Sequence, residues 1–347
     1  MKLMKKSERI LLAHGSGGKL SRQLVEEVIL PGIGVAGAVN LDDAAVLQLH
    51  GMAGRAKGPR LAFTTDSYVV SPIFFPGGNI GDLAINGTVN DLAMMGARPG
   101  FVTVGLVIEE GFALDELEAA LLSMRKRALE AGVTIVAGDT KVVERGKADR
   151  IFISTSGIGL IPDGREVSGS LLQPGDRILV SGTIGDHGMA VLSQREGLEF
   201  RSDIVSDSAP LNSLVEEIFE TGAEIHALRD PTRGGLAATL NEFATASGVG
   251  ILVEESAVPL EPSVSRACDL LGLDPFYVAN EGKLVVSVSE TGAEQVLQAM
   301  QGHPQGGRAA AIGTASSDHS GTVILQTRVG GKRILDMPTG EQLPRIC

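Results

Sequence analysis

The sequence predicts two α+β domains followed by a flexible C-terminal tail. Three observations carry that expectation. The chain has 347 residues, more than one ordinary core takes in, so two domains are expected. Short β-like runs mix with helical ones through both halves. All periodicity then stops at Asp336, after which Pro338, Gly340 and Pro344 block regular structure. The expected division is 1–168, 169–335 and a tail over 336–347.

In the first half, residues 20–30 have helical spacing that stops at Pro31-Gly32. Strand-like runs follow at 44–49, 60–65, 101–108, 134–137 and 151–160. Helices are predicted over 80–95 and 114–131, the second closed by Gly132. The turn Leu172-Gln173-Pro174-Gly175-Asp176 opens a new unit with a strand over 177–181. Helical patterns come next at 189–195, 211–221, 234–247 and 263–271, with strands at 250–254, 283–289 and 322–327.

Composition narrows the function. Apolar residues make up 43 % of the chain, which excludes overall disorder. Aromatics are 3 % with no Trp, a poor supply of stacking platforms for single-stranded nucleic acid. A net charge of −12 argues against duplex DNA and anionic membrane surfaces. It leaves ATP open, because Mg²⁺ bridges carboxylates to phosphates. The basic start is followed by an apolar run of only Ile10 to Ala13, too short for a signal peptide, and no stretch reaches membrane-span length. Cys268 and Cys347 form no metal-type spacing. A cytoplasmic protein is the expectation.

Several Asp residues are expected in loops beside β-like runs or at helix starts: Asp42-Asp43, Asp66, Asp91 and Asp139. Singly each reads as a turn former or cap. Their recurrence beside Gly and Thr points to hard oxygen ligands for Mg²⁺ and a triphosphate. The glycine motifs are weaker. Gly32 to Gly37 matches GxGxxG but follows a helical run and opens no helix. His14-Gly15-Ser16-Gly17-Gly18-Lys19 is no Walker A motif, which leaves a nucleotide-covering loop or an ordinary turn. Ser181 to Gly188 reads as a phosphate-receiving helix start or a tight connection. Arg229-Asp230-Pro231-Thr232-Arg233 reads as an anion clamp or a capped N-terminus with a salt bridge. Asn280-Glu281-Gly282, Lys141 and His226 are not singled out by spacing.

The ending, Pro344-Arg345-Ile346-Cys347, is unusual. A terminal Cys is a thiol on an arm, and twelve extended residues reach roughly 40 Å. Its own carboxylate raises the thiol pKa, so loading it needs a partner base or enzyme. It is not a prenylation signal, whose Cys stands four from the end.

Together these segments carry a resemblance. Asp42-Asp43-Ala44-Ala45, Thr64-Thr65-Asp66-Ser67, Asn90 to Ala97 and Gly138-Asp139-Thr140 resemble the ATP-binding half of the aminoimidazole-ribonucleotide synthetase superfamily. His14 to Gly18, Gly138 to Val143, Gly185-Asp186-His187-Gly188, Arg229 to Gly235, Asn280-Glu281-Gly282 and the terminal four residues resemble, more closely, the HypE-type carbamoyl dehydratases of [NiFe]-hydrogenase maturation.

The resemblance implies a two-domain aminoimidazole-ribonucleotide-synthetase-like fold. Its first sheet would pair with its twin in a homodimer, and its second would be backed by helices. ATP would lie between the domains. Mg²⁺ would be held by Asp43, Asp66, Asp91 and Asp139, with Asn90, Thr140, Gly17 and Gly18 beside the nucleotide. A HypF-type carbamoyltransferase would load Cys347. The γ-phosphoryl of ATP would then activate the amide oxygen for departure. Glu281 is the implied base and Lys141 the group steering charge; His226 and the Arg229/Arg233 pair would line the pocket. The S-cyanide would pass to a HypC/HypD-type scaffold. The competing readings are a small-substrate synthetase or kinase of the same superfamily and a non-catalytic ATP-binding scaffold. Selenophosphate synthetase would need a reactive Cys in the His14–Lys19 loop, and none is there.

Overall fold

The computed structural model describes residues 9–15, 18–33, 41–49, 58–195, 203–340, 343 and 345–347. The first helical run is composite: α1 (Lys19–Leu24), a π-helical turn over Val25–Ile29, and α2 (Leu30–Gly32). Strands β1 (Ala45–Gln48), β2 (Arg60–Tyr68), β5 (Arg98–Glu109), β6 (Thr134–Val143) and β7 (Ile151–Ile161) form one sheet in the order β1-β2-β7-β5-β6. Only β5 and β6 run parallel, joined across α4 (Leu114–Ala131). A small hairpin, β3 (Phe74–Phe75) with β4 (Gly78–Asn79), leads into α3 (Ile80–Met94).

Helix α3 starts at a capping box. The Asn79 side chain accepts from Gly81 N at 2.8 Å, and Asp82 accepts from Asn79 N at 2.9 Å. Its residues are buried almost all round, as expected of a helix caught between a sheet and a second domain. One face of the first sheet is covered by α3 and α4. The other is open: Phe63, Phe101, Ile158 and Leu160 project from it and are exposed.

The second sheet has the order β14-β13-β10-β12-β8-β11-β9. Its strands are β8 (Arg177–Val180), β9 (Ile225–Arg229), β10 (Gly250–Glu254), β11 (Val285–Val288), β12 (Ala310–Ser316), β13 (Val323–Gln326) and β14 (Lys332–Ile334). Helix α7 (Gly235–Ser247) packs in the core on one face, while α6 (Asn212–Glu220) and α9 (Ala293–Gly302) cover the other. Strands β9, β12 and β14 and helix α9 go beyond the elements the sequence pattern had indicated. The first sheet ends at Ile161 and the second begins at Arg177.

Helices α5 (Asp186–Arg195) and α8 (Pro262–Leu271) belong to the second half of the chain, yet their apolar residues join the core of the first sheet. Leu343 and Ile346 complete that core at 8 % and 2 % exposure. In this structure the described end of the expected tail is docked, a placement that the burial of two large apolar side chains stabilises.

Candidate functional site

A cleft of about 280 Å³ lies between the two halves. Strand β2 supplies one wall, since Thr64, Asp66 and Tyr68 are two residues apart and share a face. Helix α3 adds Gly87 and Asp91, one turn apart. A Cβ on Gly87 would lie 2.3 Å from the Tyr68 hydroxyl, so glycine lets the phenol cross the helix. Asp43 comes from the loop before β1, Asp230 and Arg233 from the loop before α7, and Glu281 from the turn before β11. Cys347 closes the list of contributors.

The cleft is crowded with buried acid. Thr64 Oγ1 donates to Asp91 Oδ2 at 2.7 Å, and the Tyr68 hydroxyl donates to Asp66 Oδ2 at 3.1 Å. Arg229 Nε lies 3.2 Å from Asp43 Oδ1 and 2.9 Å from Glu242 Oε2. Even so, burial raises Asp43 well above the carboxylate range, with Asp230, Glu242 and Asp42 adding repulsion against the pull of Arg229. Burial, then Asp66, Asp230 and Asp43, do the same to Asp91. Asp230 is pushed up to about 7, chiefly by burial. Burial and the charges of Asp230 and Asp207 raise Glu281, whose Oε1 is buried with no hydrogen-bond partner. Arg233 is held firmly protonated by Cys347, then by Asp66 and Glu281.

The turn that aims Glu281 is built by side chains. Asp207 accepts from Glu281 N at 3.1 Å, Gly282 N at 3.3 Å and Lys283 Nζ at 3.0 Å. Burial opposes the Asp207 charge, but Lys283 and these donors outweigh it and hold the carboxyl low. Asn280 accepts from Gly185 N at 2.7 Å and donates to Pro231 O at 2.9 Å, tying together three loops of the second half.

The tail enters along the exit of β2. Val69 N donates to Cys347 O and Ser71 N to Arg345 O, both at 3.1 Å, while Arg345 Nε donates to Val69 O at 2.9 Å. The Arg345 guanidinium also pairs with Asp149, and its backbone is left-handed at φ 54°.

Asp43, Asp66, Asp91, Glu281 and Cys347 are therefore brought together. Other expected site residues stand elsewhere. Asp139, Thr140 and Lys141 lie exposed on edge strand β6, where Lys141 Nζ bonds Asp139 Oδ2 at 2.7 Å, away from the cleft of this chain. His226 is buried on β9, the edge strand of the second sheet, with Nδ1 2.7 Å from Asp176 Oδ2, an acceptor it shares with Ser287. Asn90 is fully enclosed in the seam, accepting from Leu211 N at 2.8 Å and donating to Ala209 O at 3.1 Å. Gly18 packs on Pro338, whose carbonyl a Cβ would approach to 2.3 Å. Gly17 and Pro344 lie outside the described residues.

The Ser181–Gly188 stretch is buried throughout and joins strand to helix as a tight connection, with no surface left for phosphate. Of the two clamp arginines, Arg229 is committed to Asp43 and Glu242, and Arg233 faces the cleft. Tyr68 was legible as the same-face neighbour of Asp66. Asp207 carried no local signal.

Among the described residues, no three His, Cys, Asp or Glu side chains already converge on a metal position. The donor chemistry nevertheless fits a hard divalent cation. Asp43, Asp66, Asp91 and Asp230 offer carboxylate oxygens in one cavity, where a positive charge would relieve their burial and repulsion, and Glu281 Oε1 is an unsatisfied acceptor.

Residues 41–161 match the AIR synthase related protein N-terminal domain, and residues 173–326 match the AIR synthase related protein C-terminal domain. The carbamoyl dehydratase HypE of Rhizobium leguminosarum bv. viciae is 52 % identical over 340 residues, covering 98 % of this chain and 95 % of that protein. This chain belongs to the HypE family of carbamoyl dehydratases. Among HypE structures, one in a HypE–HypF complex superposes with a TM-score of 0.84 at 48 % identity, covering 91 % of this chain and 99 % of that one. A HypE in complex with ATP superposes with a TM-score of 0.81 at 49 % identity, covering 98 % and 100 %.

Proposed function

We propose that this chain uses ATP to dehydrate a carbamoyl group carried on Cys347, leaving S–C≡N for the iron centre of a [NiFe]-hydrogenase. The observation that carries the reading is the C-terminal cysteine itself, seated in an acid-lined interdomain cleft beside Glu281 and Arg233. HypE relatives with a bound ATP and a bound HypF support the nucleotide and a HypF-type carbamoyltransferase as the source of the carbamoyl group.

An amide oxygen is a poor leaving group. Its attack on the γ-phosphorus releases ADP, and the C–O bond then breaks with loss of phosphate while nitrogen gives up its protons. A bound Mg²⁺, held by carboxylates drawn from Asp43, Asp66, Asp91 and Asp230, would neutralise the triphosphate charge. Glu281 takes a nitrogen proton: its raised pKa makes it a stronger base than an exposed carboxylate, and its partnerless Oε1 is ready to accept. Arg233 fixes the Cys347 end of the substrate. Asp139, Thr140 and Lys141 enter this reading only as residues that a second copy would present, paired through the open apolar face of the first sheet. His226 takes no part. A HypC/HypD-type scaffold would accept the cyanide. No helix among the described residues is long and apolar enough to cross a membrane, and the reaction is assigned to the cytoplasm.

The test is the intact mass after incubation with a HypF-type transferase, carbamoyl phosphate and MgATP. Wild type should gain a carbamoyl group that loses one water only with ATP. Cys347→Ala should gain nothing, and Glu281→Gln should load, bind ATP and stop before water loss. With the transferase shown active, no adduct on Cys347 would move the assignment to a small-substrate synthetase.

A further inference from the structure

We propose that His187 is a positioning residue that latches the C-terminal tail into the cleft by donating a hydrogen bond to the Ile346 carbonyl. The inference rests on the reading of Cys347 as the carrier, although its first assay does not.

The tail's carbonyls point in two directions. Those of Arg345 and Cys347 are taken by the backbone at Ser71 and Val69. The carbonyl of Ile346 faces the other way, toward the second domain, and the Ile346 residue is buried. Among the described residues, the donor that meets it there is His187 Nε2 at 2.8 Å. A carbonyl only accepts, so Nε2 carries the proton and Nδ1 accepts from Ser206 Oγ at 2.8 Å. Ser206 in turn accepts from Ser208 N at 3.1 Å. Each partner in the chain is used once, which fixes the neutral tautomer and the ring plane. The Phe75 ring, 5.3 Å away and edge-on at 88°, holds the imidazole in place.

The rest of α5 faces the same tail. Arg195, two turns beyond His187, donates to Arg345 O at 2.9 Å and to Ser71 O at 2.6 Å. Gly188 leaves room for Leu343, whose Cδ1 a Cβ would approach to 3.1 Å. Thus α5 of one half and residues 69–71 of the other form the two sides of a slot for the last residues. Loading by a separate transferase needs the thiol outside this slot, and dehydration needs it inside. A latch on the backbone of Ile346, one residue from the thiol, governs that partition without touching the reacting group.

The experiment follows alkylation of Cys347 by iodoacetamide, in which the thiolate sulfur displaces iodide from carbon, with neither ATP nor carbamoyl group present. Cys268 contributes little background, being buried with its thiol pushed up to about 11. His187→Phe keeps the packing and removes the donor, and should raise the alkylation rate about tenfold. His187→Gln, whose amide N–H reaches the former Nε2 position, should return it close to wild type. Should the Phe variant fail to fold, Arg195→Ala on the same helix should raise the rate in the same direction. The carbamoylated proteins are then given MgATP, where His187→Phe should load normally but lose water about tenfold more slowly. Wild-type alkylation rates in both His187→Phe and Arg195→Ala would overturn the latch, as would a Gln variant no better than Phe. If wild type alkylates as expected but never loses water, the proposed reaction fails and the latch stands.

Discussion

At the residue scale the cleft is defined by charge that the protein alone does not neutralise. Asp230 makes this measurable. Its ordinary carboxyl pKa of 3.8 is raised to about 7 in the folded chain, mainly by burial. The folded state therefore holds the proton more tightly than the unfolded one. Stability from this group is full below about pH 4 and is lost as pH rises through about 7. Asp43, Asp91 and Glu281 are shifted in the same direction and add to the slope. In EDTA, the thermal midpoint should fall between about pH 4 and 7, and Asp230→Asn should flatten that fall by removing one contributor. Parallel curves for the two proteins would show that Asp230 ionises freely. Added Mg²⁺ should raise the wild-type midpoint most at the alkaline end, where the carboxylates are charged.

At the element scale, short connections do the positioning. The turn carrying Glu281 is fixed by three donors to Asp207 and by the closeness of Gly282, whose missing Cβ would fall 1.8 Å from Asp207 O. Gly282→Ala must push that backbone apart. We expect a stability loss of about 2–3 kcal/mol by chemical denaturation, with dehydration lost more severely than ATP binding. Gly307→Ala, with nothing within 4 Å of its Cβ, serves as the control and should change stability by no more than about 0.5 kcal/mol. Equal effects at the two positions would mean that the close approach does not hold the turn. The tail behaves as an element in the same sense. Burying Leu343 and Ile346 is worth about 2–3 kcal/mol each relative to full exposure. The docked state thus dominates until a partner captures the arm.

At the scale of the molecule, the first sheet is covered on one side only. Phe101 is 55 % exposed on β5 and Leu160 49 % on β7, side chains that a stable surface rarely leaves together. Phe101→Asp should shift the chain from dimer toward monomer in light scattering, and dehydration should fall with the dimer fraction if Asp139 and Lys141 act across it. A monomeric variant with full turnover would remove both residues from the reaction.

The two-domain α+β pattern, most helices and the unusual terminal cysteine were legible in the sequence, whereas Glu281 stood out only through the family resemblance. Amphipathic period, glycine stops and the motif residues are local properties, written into neighbouring positions. Which motifs meet is not local. Asp66-Ser67 and Asp139-Thr140 look alike as acids in β-like runs, but β2 lies inside the sheet at the domain seam and β6 lies at its edge. His226 and His187 were equally anonymous histidines. One is tied to Asp176 from edge strand β9 of the second sheet, and the other holds the tail. Sequence determined the parts and their chemistry. Only tertiary structure decided which buried acids share a cavity and that the last residues fold back into it, because strand order and the pairing of apolar surfaces join residues hundreds of positions apart.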